Sequence, residues 1–293
     1  MNGKHLPLLA VLLMSTLFMA CDGRTEQLKL AEENAVYYWR TDLRFDSAER
    51  AFLQQYHINK VYCRYFDVVM DPAQGPMPNA TLTFSEPLPA GTEMVPTVYI
   101  TEGCMHQRHE GLADKLVRRI LQMNETNDVD GVRELQIDCD YTARSRQVYY
   151  DFLKEVDRLL PPGYRLSTTI RLHQLSMAAP PVDYGVLMIY NTGDPRKFEE
   201  RNPILDFRDV KPYLKRLDGY QLPLAAAYPV YQWVRHIHGV RIEHTVEADE
   251  ILRVKQAVEQ ERPELRRTIL TYHLDEENIN RYKPETYEKI YHH

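Results

Sequence analysis

Two carboxylates two residues apart close the apolar run Gly131-Val-Arg-Glu-Leu-Gln-Ile-Asp138-Cys139-Asp140-Tyr141. In a strand, side chains at i and i+2 point to the same side. Gln136, Asp138 and Asp140 therefore share one face, and Leu135, Ile137 and Cys139 share the other. At a rise of ~3.3 Å per residue the two acids stand ~6 to 7 Å apart along the strand. Burying an unpaired charge is costly, so a pair of this kind is a poor choice for stability and a good one for acid–base chemistry. If the strand belongs to a parallel barrel, its inward C-terminal end is where active sites are built. A structural role is the competing reading, with Asp140 or Thr142 capping the helix that follows.

The elements around this strand repeat. Eight segments rich in β-branched and aromatic residues recur at Ala35–Arg40, Lys60–Val68, Met94–Ile100, Glu134–Asp140, Arg165–Ile170, Tyr184–Tyr190, Leu222–Val230 and Thr268–Leu274. Helical periodicity lies between them. Ser47–Tyr56 opens on a Ser cap, Gly111–Met123 aligns Leu112, Leu116, Ile120 and Met123, and Ser145–Leu160 aligns Val148, Phe152, Val156 and Leu159. Eightfold alternation predicts a single (β/α)8 TIM barrel, an α/β fold, over residues 34–293. Ala178-Ala-Pro-Pro-Val leaves room for only a short helix, or none, between strands five and six. The Asp71–Glu93 insertion, with five prolines, reads as a loop or small hairpin over one end. Extra material follows strand six at Arg196–Asp218 and strand seven at Gln232–Glu264. A doubly wound open sheet is the runner-up, without the Gly-rich phosphate loop that would support it.

In a barrel the strand ends meet, and theirs are rich in acids, arginines and aromatics. Tyr38 and Arg40 end strand one, Arg64 lies in strand two, and Glu102 follows strand three. Asp138 and Asp140 end strand four, and Arg171 and His173 follow strand five. Tyr190 and Asn191 end strand six, strand seven gives Tyr228, Tyr231 and Trp233, and strand eight gives His273 and Glu276. Rings stack on the apolar faces of pyranoses, charged groups bond hydroxyls, and paired carboxyls suit cleavage of a glycosidic bond. The assignment is a carbohydrate site: Asp140 nearest the scissile bond, Asp138 orienting it, and Glu102 or Glu276 as the second carboxyl. No cofactor is called for.

At these residues the chain resembles the chitinase-like barrels of glycoside hydrolase family 18. That family ends its fourth strand in Asp-x-x-Asp-x-Asp-x-Glu, its sixth in a Met-x-Tyr-Asp-like segment and its seventh in Pro-x-Tyr-Gly. The counterparts are Gln136-Ile-Asp138-Cys-Asp140-Tyr-Thr142, Met188-Ile-Tyr190-Asn191 and Pro229-Val-Tyr231-Gln232. Order and placement agree over roughly Gly131 to Trp233. The resemblance implies a glycosidase-like barrel, and it puts the family's general acid at Thr142, which cannot donate a proton usefully. A non-catalytic glycan-binding or scaffolding relative is therefore the rival reading. The chain is also similar to bacterial secreted or lipidated barrels of domain-of-unknown-function type that carry a Gln-x-Asp-x-Asp strand.

The N-terminus carries an address. Lys4 and His5 precede an apolar run to Ala20, too short to span a bilayer comfortably and built like a secretory signal. Leu17-Phe-Met-Ala-Cys21 resembles a bacterial lipobox, with residues 1–20 as signal peptide, Cys21 lipidated, and residues 21–33 as a tether. Partners would then be a membrane, through the lipid, and a carbohydrate, in the cell envelope; an ordinary signal cut near Ala20 is the alternative. Removing Lys4 leaves 35 basic residues against 42 acidic, a formal charge of −7, with no basic cluster for nucleic acid. Cys63 and Cys139 read as buried apolar residues, and with no CxxC there is no disulfide framework or zinc site. His236-Ile-His238 has a metal-like look, but reads as a solvated loop. No Gly-x-Ser-x-Gly elbow surrounds Ser167. His292-His293 is set aside as a tail.

Overall fold

The computed structural model describes residues 28–193, 201–237 and 240–292. Its frame is eight parallel strands: β1 (Glu33–Tyr38), β2 (Ile58–Asp71), β3 (Glu93–Ile100), β4 (Glu134–Asp138), β5 (Arg165–Arg171), β6 (Tyr184–Met188), β7 (Leu224–Pro229) and β8 (Thr268–Tyr272). Each pairs with its sequence neighbour, and β1 pairs with both β2 and β8, which closes the sheet. Closure removes the exposed edges that an open sheet would leave. All eight predicted segments are these strands, and the fold is the expected (β/α)8 barrel.

The helices around it are α1 (Ser47–Gln55), α2 (Leu112–Thr126), α3 (Arg146–Leu159), α4 (Phe207–Leu217), α5 (Ala248–Glu261), α6 (Glu276–Ile279) and α7 (Pro284–Ile290). Only a 3-10 turn, Leu172–Ser176, joins β5 to β6, as the Ala-Pro-Pro interruption led one to expect. The cap of α1 differs from expectation. It is Asp46, which accepts from the Glu49 amide at 2.7 Å while Glu49 Oε2 accepts from the Asp46 amide at 3.0 Å. This reciprocal box satisfies two orphan donors, leaving Ser47 as the first helical residue. Likewise, Ser145 occupies the cap position of α3, so neither Asp140 nor Thr142 serves there.

The insertion after β2 is the hairpin foreseen. β2 runs on past the barrel and folds back antiparallel onto Gly75–Asn79, with Asp71 opposite Gly75. Pro76 and Pro78 lie in that returning strand and blunt its outer edge. After β7, Trp233–Ile237 and Val240–His244 form a second hairpin. His238 and the side chain of His236 lie outside the described residues. No helix among the described residues is long and apolar enough to cross a membrane.

The barrel interior is less apolar than its wall. Leu135 and Ile137 of β4 are buried against the helices, whereas Gln136 faces inward and accepts from the Tyr37 hydroxyl at 2.9 Å. Deeper, near the strand starts, the Tyr62 and Tyr184 hydroxyls meet at 2.5 Å. Ser167 donates to Glu134 at 2.6 Å, and Lys60 Nζ lies 2.8 Å from Glu33 and 3.7 Å from Glu134. Buried polar groups are tolerable only when partnered, and these partner one another across five strands.

Candidate active site

The inward residues of β4 and β5 build a ladder. Register places Gln136 beside Ser167 and Ile137 beside Thr168. Each further step of two residues keeps both strands on the interior face. Gln136 Nε2 donates to Ser167 Oγ at 3.4 Å, the Thr169 hydroxyl donates to Asp138 Oδ1 at 2.6 Å, and Arg171 Nε donates to Asp140 Oδ1 at 2.5 Å. Both acids therefore face inward at the C-terminal end of β4, as their parity predicts.

Their surroundings differ. Asp138 is only 2% exposed, whereas the Asp140 side chain is 43% exposed at the mouth. Burial raises the Asp138 pKa to about 6; Arg171 and the Thr169 bond pull it down, while Asp140 and Asp67 push it up. A folded pKa above the ordinary carboxylate value of about 3.9 means that the folded state binds a proton the unfolded chain has released. Stability from this group is thus full below about pH 4 and is lost as pH rises toward 6. We predict that Asp138→Asn is more stable than wild type by up to about 3 kcal/mol at pH 7.5 and no more stable at pH 4. Chemical denaturation at both values measures it, and an equal effect at both would rule out a proton-holding Asp138.

Arg171 is fixed from two directions. Its guanidinium binds Asp140, and its backbone amide donates to Gln174 Oε1 at 2.8 Å. Gln174 Nε2 in turn donates to the Tyr141 carbonyl at 2.9 Å. The turn after β5 is thereby strapped to the chain beside Asp140. Arg171 Nη1 and the Tyr190 hydroxyl are buried without a hydrogen-bond partner among the described residues. Both border a cleft of about 270 Å3 lined also by Asp140, His173, Asn191 and Tyr213.

An aromatic wall rises opposite the ladder, with Tyr272 at its hub. The Tyr272 ring lies 5.0 Å from Tyr190 in a stacked pair, 5.4 Å from Tyr231, and 5.7 Å from both Tyr37 and Trp39. Trp233 extends the wall at 6.3 Å from Tyr231. The Arg64 guanidinium sits 5.7 Å over Trp39 and is paired with Asp67. Asn191, in the left-handed region at φ 55°, accepts from the Tyr231 hydroxyl.

The expected residues divide into two groups. The structure brings together Asp138, Asp140, Arg64, Arg171, His173, Tyr190, Asn191, Tyr231 and Trp233. Tyr38 instead turns to the outer layer, where its hydroxyl bonds the Asp42 and Arg44 carbonyls at 2.5 and 2.9 Å. Arg40 is held 2.7 Å from Glu49 of α1. Tyr228 is fully buried on the side that faces Glu259 of α5. His273 lies 3.4 Å from Asp275, its pKa lowered by burial. Glu276 is exposed in the first turn of α6. Residues that the sequence reading passed over, Tyr37, Trp39, Tyr99 and Tyr272, occupy the interior positions instead. Tyr99 lies level with Asp138, and burial pushes its hydroxyl up to about 12.

Glu102 has a distinct place. Its Oε1 accepts from the Thr142 hydroxyl at 2.6 Å and from Ser145 at 2.9 Å, and His106 lies 3.6 Å from Oε2. The Thr142 bond leads the contributions that hold its pKa below the ordinary range. The residue at the position of the family-18 acid is thus tied directly to a carboxylate from the preceding loop.

The molecule is a closed, parallel (β/α)8 barrel with a charged, aromatic-lined C-terminal mouth. Among solved structures it is similar to a chitinase from Bacteroides thetaiotaomicron, with a TM-score of 0.61 and 10% identity over 89% of this chain and 96% of that one. It is also similar to the Bacillus cereus spore cortex-lytic enzyme SleL, with a TM-score of 0.58 and 18% identity over 90% and 74% of the two chains. A xylanase-A-amylase inhibitor protein shares the fold as well, at a TM-score of 0.52 and 11% identity over 88% and 97%. No family model matches the sequence, and no curated protein matches it significantly. At these identities the likeness is one of fold, and an inhibitor on the same frame as two enzymes shows why chemistry must be argued from the site.

Proposed function

We propose that the barrel mouth binds a carbohydrate and cleaves one of its glycosidic bonds, with Asp138 and Asp140 sharing the proton that the cleavage needs. The observation behind this reading is the pairing of a buried Asp138, its pKa raised to about 6, with an accessible Asp140 on the same strand face. A carboxyl whose pKa burial raises is suited to acid–base work, and mere binding gives no reason to bury Asp138. Asp140 meets the bond. Glu102 is the second carboxyl, because Thr142 ties it to the chain that carries Asp140 and its hydrogen bonds favour the ionised form. The aromatic wall from Trp39 to Trp233 supplies stacking faces for sugar rings.

One observation favours a second reading. Thr142 stands where the resemblance puts the acid, and Asp140 is already engaged by Arg171, so a barrel that binds glycans without cleaving them accounts for the same wall. The deciding test is hydrolysis of a broad panel of aryl-glycosides and oligosaccharides, with binding measured in parallel by calorimetry. Cleavage supports the first reading; binding with no cleavage across the panel replaces it with the second.

We also propose that the chain is lipid-anchored at Cys21 in a bacterial cell envelope; that residue lies outside the described ones. Arg267 Nε donates to the Leu30 carbonyl at 2.6 Å and Thr268 to the Ala31 carbonyl at 2.8 Å. The tether thus joins the barrel at the strand starts, and an anchored molecule would present its mouth away from the lipid. Cys21→Ala is expected to move the protein from the membrane to the soluble envelope fraction on ultracentrifugation. Unchanged fractionation would count against lipidation.

A further inference from the structure

We propose that the cleft beside Asp140 recognises a carboxylate, so that the preferred ligand is an acidic sugar, one bearing its acid either on the ring, as in a uronic acid, or on an ether substituent. The proposal rests on the carbohydrate reading above and deepens it by naming the chemical class of ligand.

The cleft is built of donors whose other atoms are already engaged. Arg171 gives Nε to Asp140 and leaves Nη1 buried without a partner among the described residues. Asn191 accepts from the Tyr231 hydroxyl through Oδ1, so its amide nitrogen is the atom left to bond. Thr192 Oγ1 accepts from the Asp206 amide at 3.2 Å, which leaves the hydroxyl hydrogen to donate. Tyr190 is 2% exposed, and its hydroxyl too is buried without a partner among the described residues. His173, exposed at the rim, keeps an N–H in either charge state. All five line the same cleft. Ordered water satisfies one orphaned donor readily. A planar acceptor with two oxygens satisfies several at once, and the guanidinium fork matches its shape.

Charge decides between a carboxylate and a neutral acceptor such as an acetamide or a hydroxyl. Among the described residues lining the cleft, the charged side chains are Asp140 and Arg171, which cancel, and His173 adds positive charge whenever it is protonated. Asn191 stands where the family-18 segment carries an acid. Its amide removes a carboxylate that would repel an anion at this spot, and like charges brought together cost binding. The donors are also fixed in advance. The Arg171 amide is strapped through Gln174 to the Tyr141 carbonyl, Asn191 is held by Tyr231, and the Thr192 amide donates to the Ile204 carbonyl at 3.3 Å. Groups so held lose little freedom when a ligand binds. At about 270 Å3 the cleft falls below the ~300 to 1,000 Å3 of pockets for drug-sized ligands. That suits one sugar ring with its acid group, seated beside Asp140, and not a length of chain.

The test is a ligand-observed NMR titration with matched sugars: methyl glucuronide against its methyl ester and methyl glucoside, and N-acetylmuramic acid against N-acetylglucosamine. The readout is the ratio of affinities within each set, so a general weakening in a variant cancels. Wild type should favour the acid by about 10-fold or more, the usual gain of a hydrogen bond to a charged group. The set that shows the preference distinguishes a ring carboxylate from an ether-linked one. Asn191→Asp keeps the shape, tolerates the left-handed backbone and adds a negative charge, and it should erase the preference. Arg171→Lys keeps charge without the fork and should lower it. Equal affinity for acid, ester and neutral sugar in wild type overturns the proposal and leaves the carbohydrate reading standing. An acid preference unchanged in Asn191→Asp also overturns it, because the carboxylate then binds elsewhere; should that variant not fold, Arg171→Lys decides in the same way. Binding by none of the five sugars overturns the carbohydrate reading, and the proposal with it.

Discussion

Asp140→Asn lowers kcat on any cleaved glycoside by about 10²- to 10⁴-fold, the usual contribution of a positioned acid–base group, and leaves the melting temperature close to wild type. The two halves of this expectation have separate causes. The activity loss follows because the amide can neither take the shared proton from Asp138 nor pass it to the glycosidic oxygen. The small stability effect follows from exposure: the Asp140 side chain is 43% exposed, and an ion pair at such a place contributes about 0 to 1 kcal/mol. Asp138→Asn loses less activity, since Asp140 still meets the bond. The comparison needs steady-state kinetics and thermal unfolding on the same preparations. A loss of several kcal/mol in Asp140→Asn would make that carboxylate a structural ion-pair partner and move the site elsewhere; full activity in the variant would remove it from the chemistry.

The sequence made the acids legible because β4 alternates cleanly. Leu135 and Ile137 mark the outer face, so Gln136, Asp138 and Asp140 had to face inward. No such marker exists on β1, where Val36, Tyr37, Tyr38 and Trp39 fit either face, or on β8, where Leu270, Thr271, Tyr272 and His273 do likewise. Strands buried on both sides lose the period of two. Tyr38 was consequently preferred to Tyr37 and His273 to Tyr272, one residue off in each case, and the aromatic hub was missed. The contact between Arg171 and Asp140 was hidden for a different reason. Asp138 and Thr169, like Asp140 and Arg171, are 31 residues apart, but only register across two strands turns equal spacing into contact. The cap of α1 was readable: Asp46 and Glu49 carry the reciprocal capping spacing, and the adjacent Ser47 drew attention away from it.

The largest stability effect should come from the other end of the barrel. Lys60→Met is expected to cost about 3 to 5 kcal/mol at neutral pH, the range for breaking a buried ion pair by removing one partner. Lys60 is 2% exposed, and its ammonium lies between Glu33 and Glu134. Glu134 is fully buried; burial raises its pKa, and Lys60 is the leading influence in the opposite direction, ahead of the bonds from Ser167 and Tyr184. Without the ammonium, those two hydroxyls alone would have to stabilise an interior carboxylate. The protein's cheaper course is to protonate Glu134, and this gives the effect a pH dependence of definite sign. A carboxyl with a raised folded pKa contributes stability at low pH and loses it as pH rises through that value, so the Lys60→Met deficit should shrink on acidification and widen toward neutrality. Glu134→Gln in the Lys60→Met background removes the stranded charge while keeping an acceptor for Ser167 and Tyr184, and should recover most of the loss. Denaturant unfolding of the two single variants and the double variant forms a complete cycle, in which neighbours of this kind couple by about 0.5 to 3 kcal/mol. A deficit below about 1 kcal/mol, within the range of an exposed pair, or a double variant no better than Lys60→Met, would mean that the interior charge is compensated elsewhere, with the hydroxyl chain through Tyr184 and Tyr62 the first place to look.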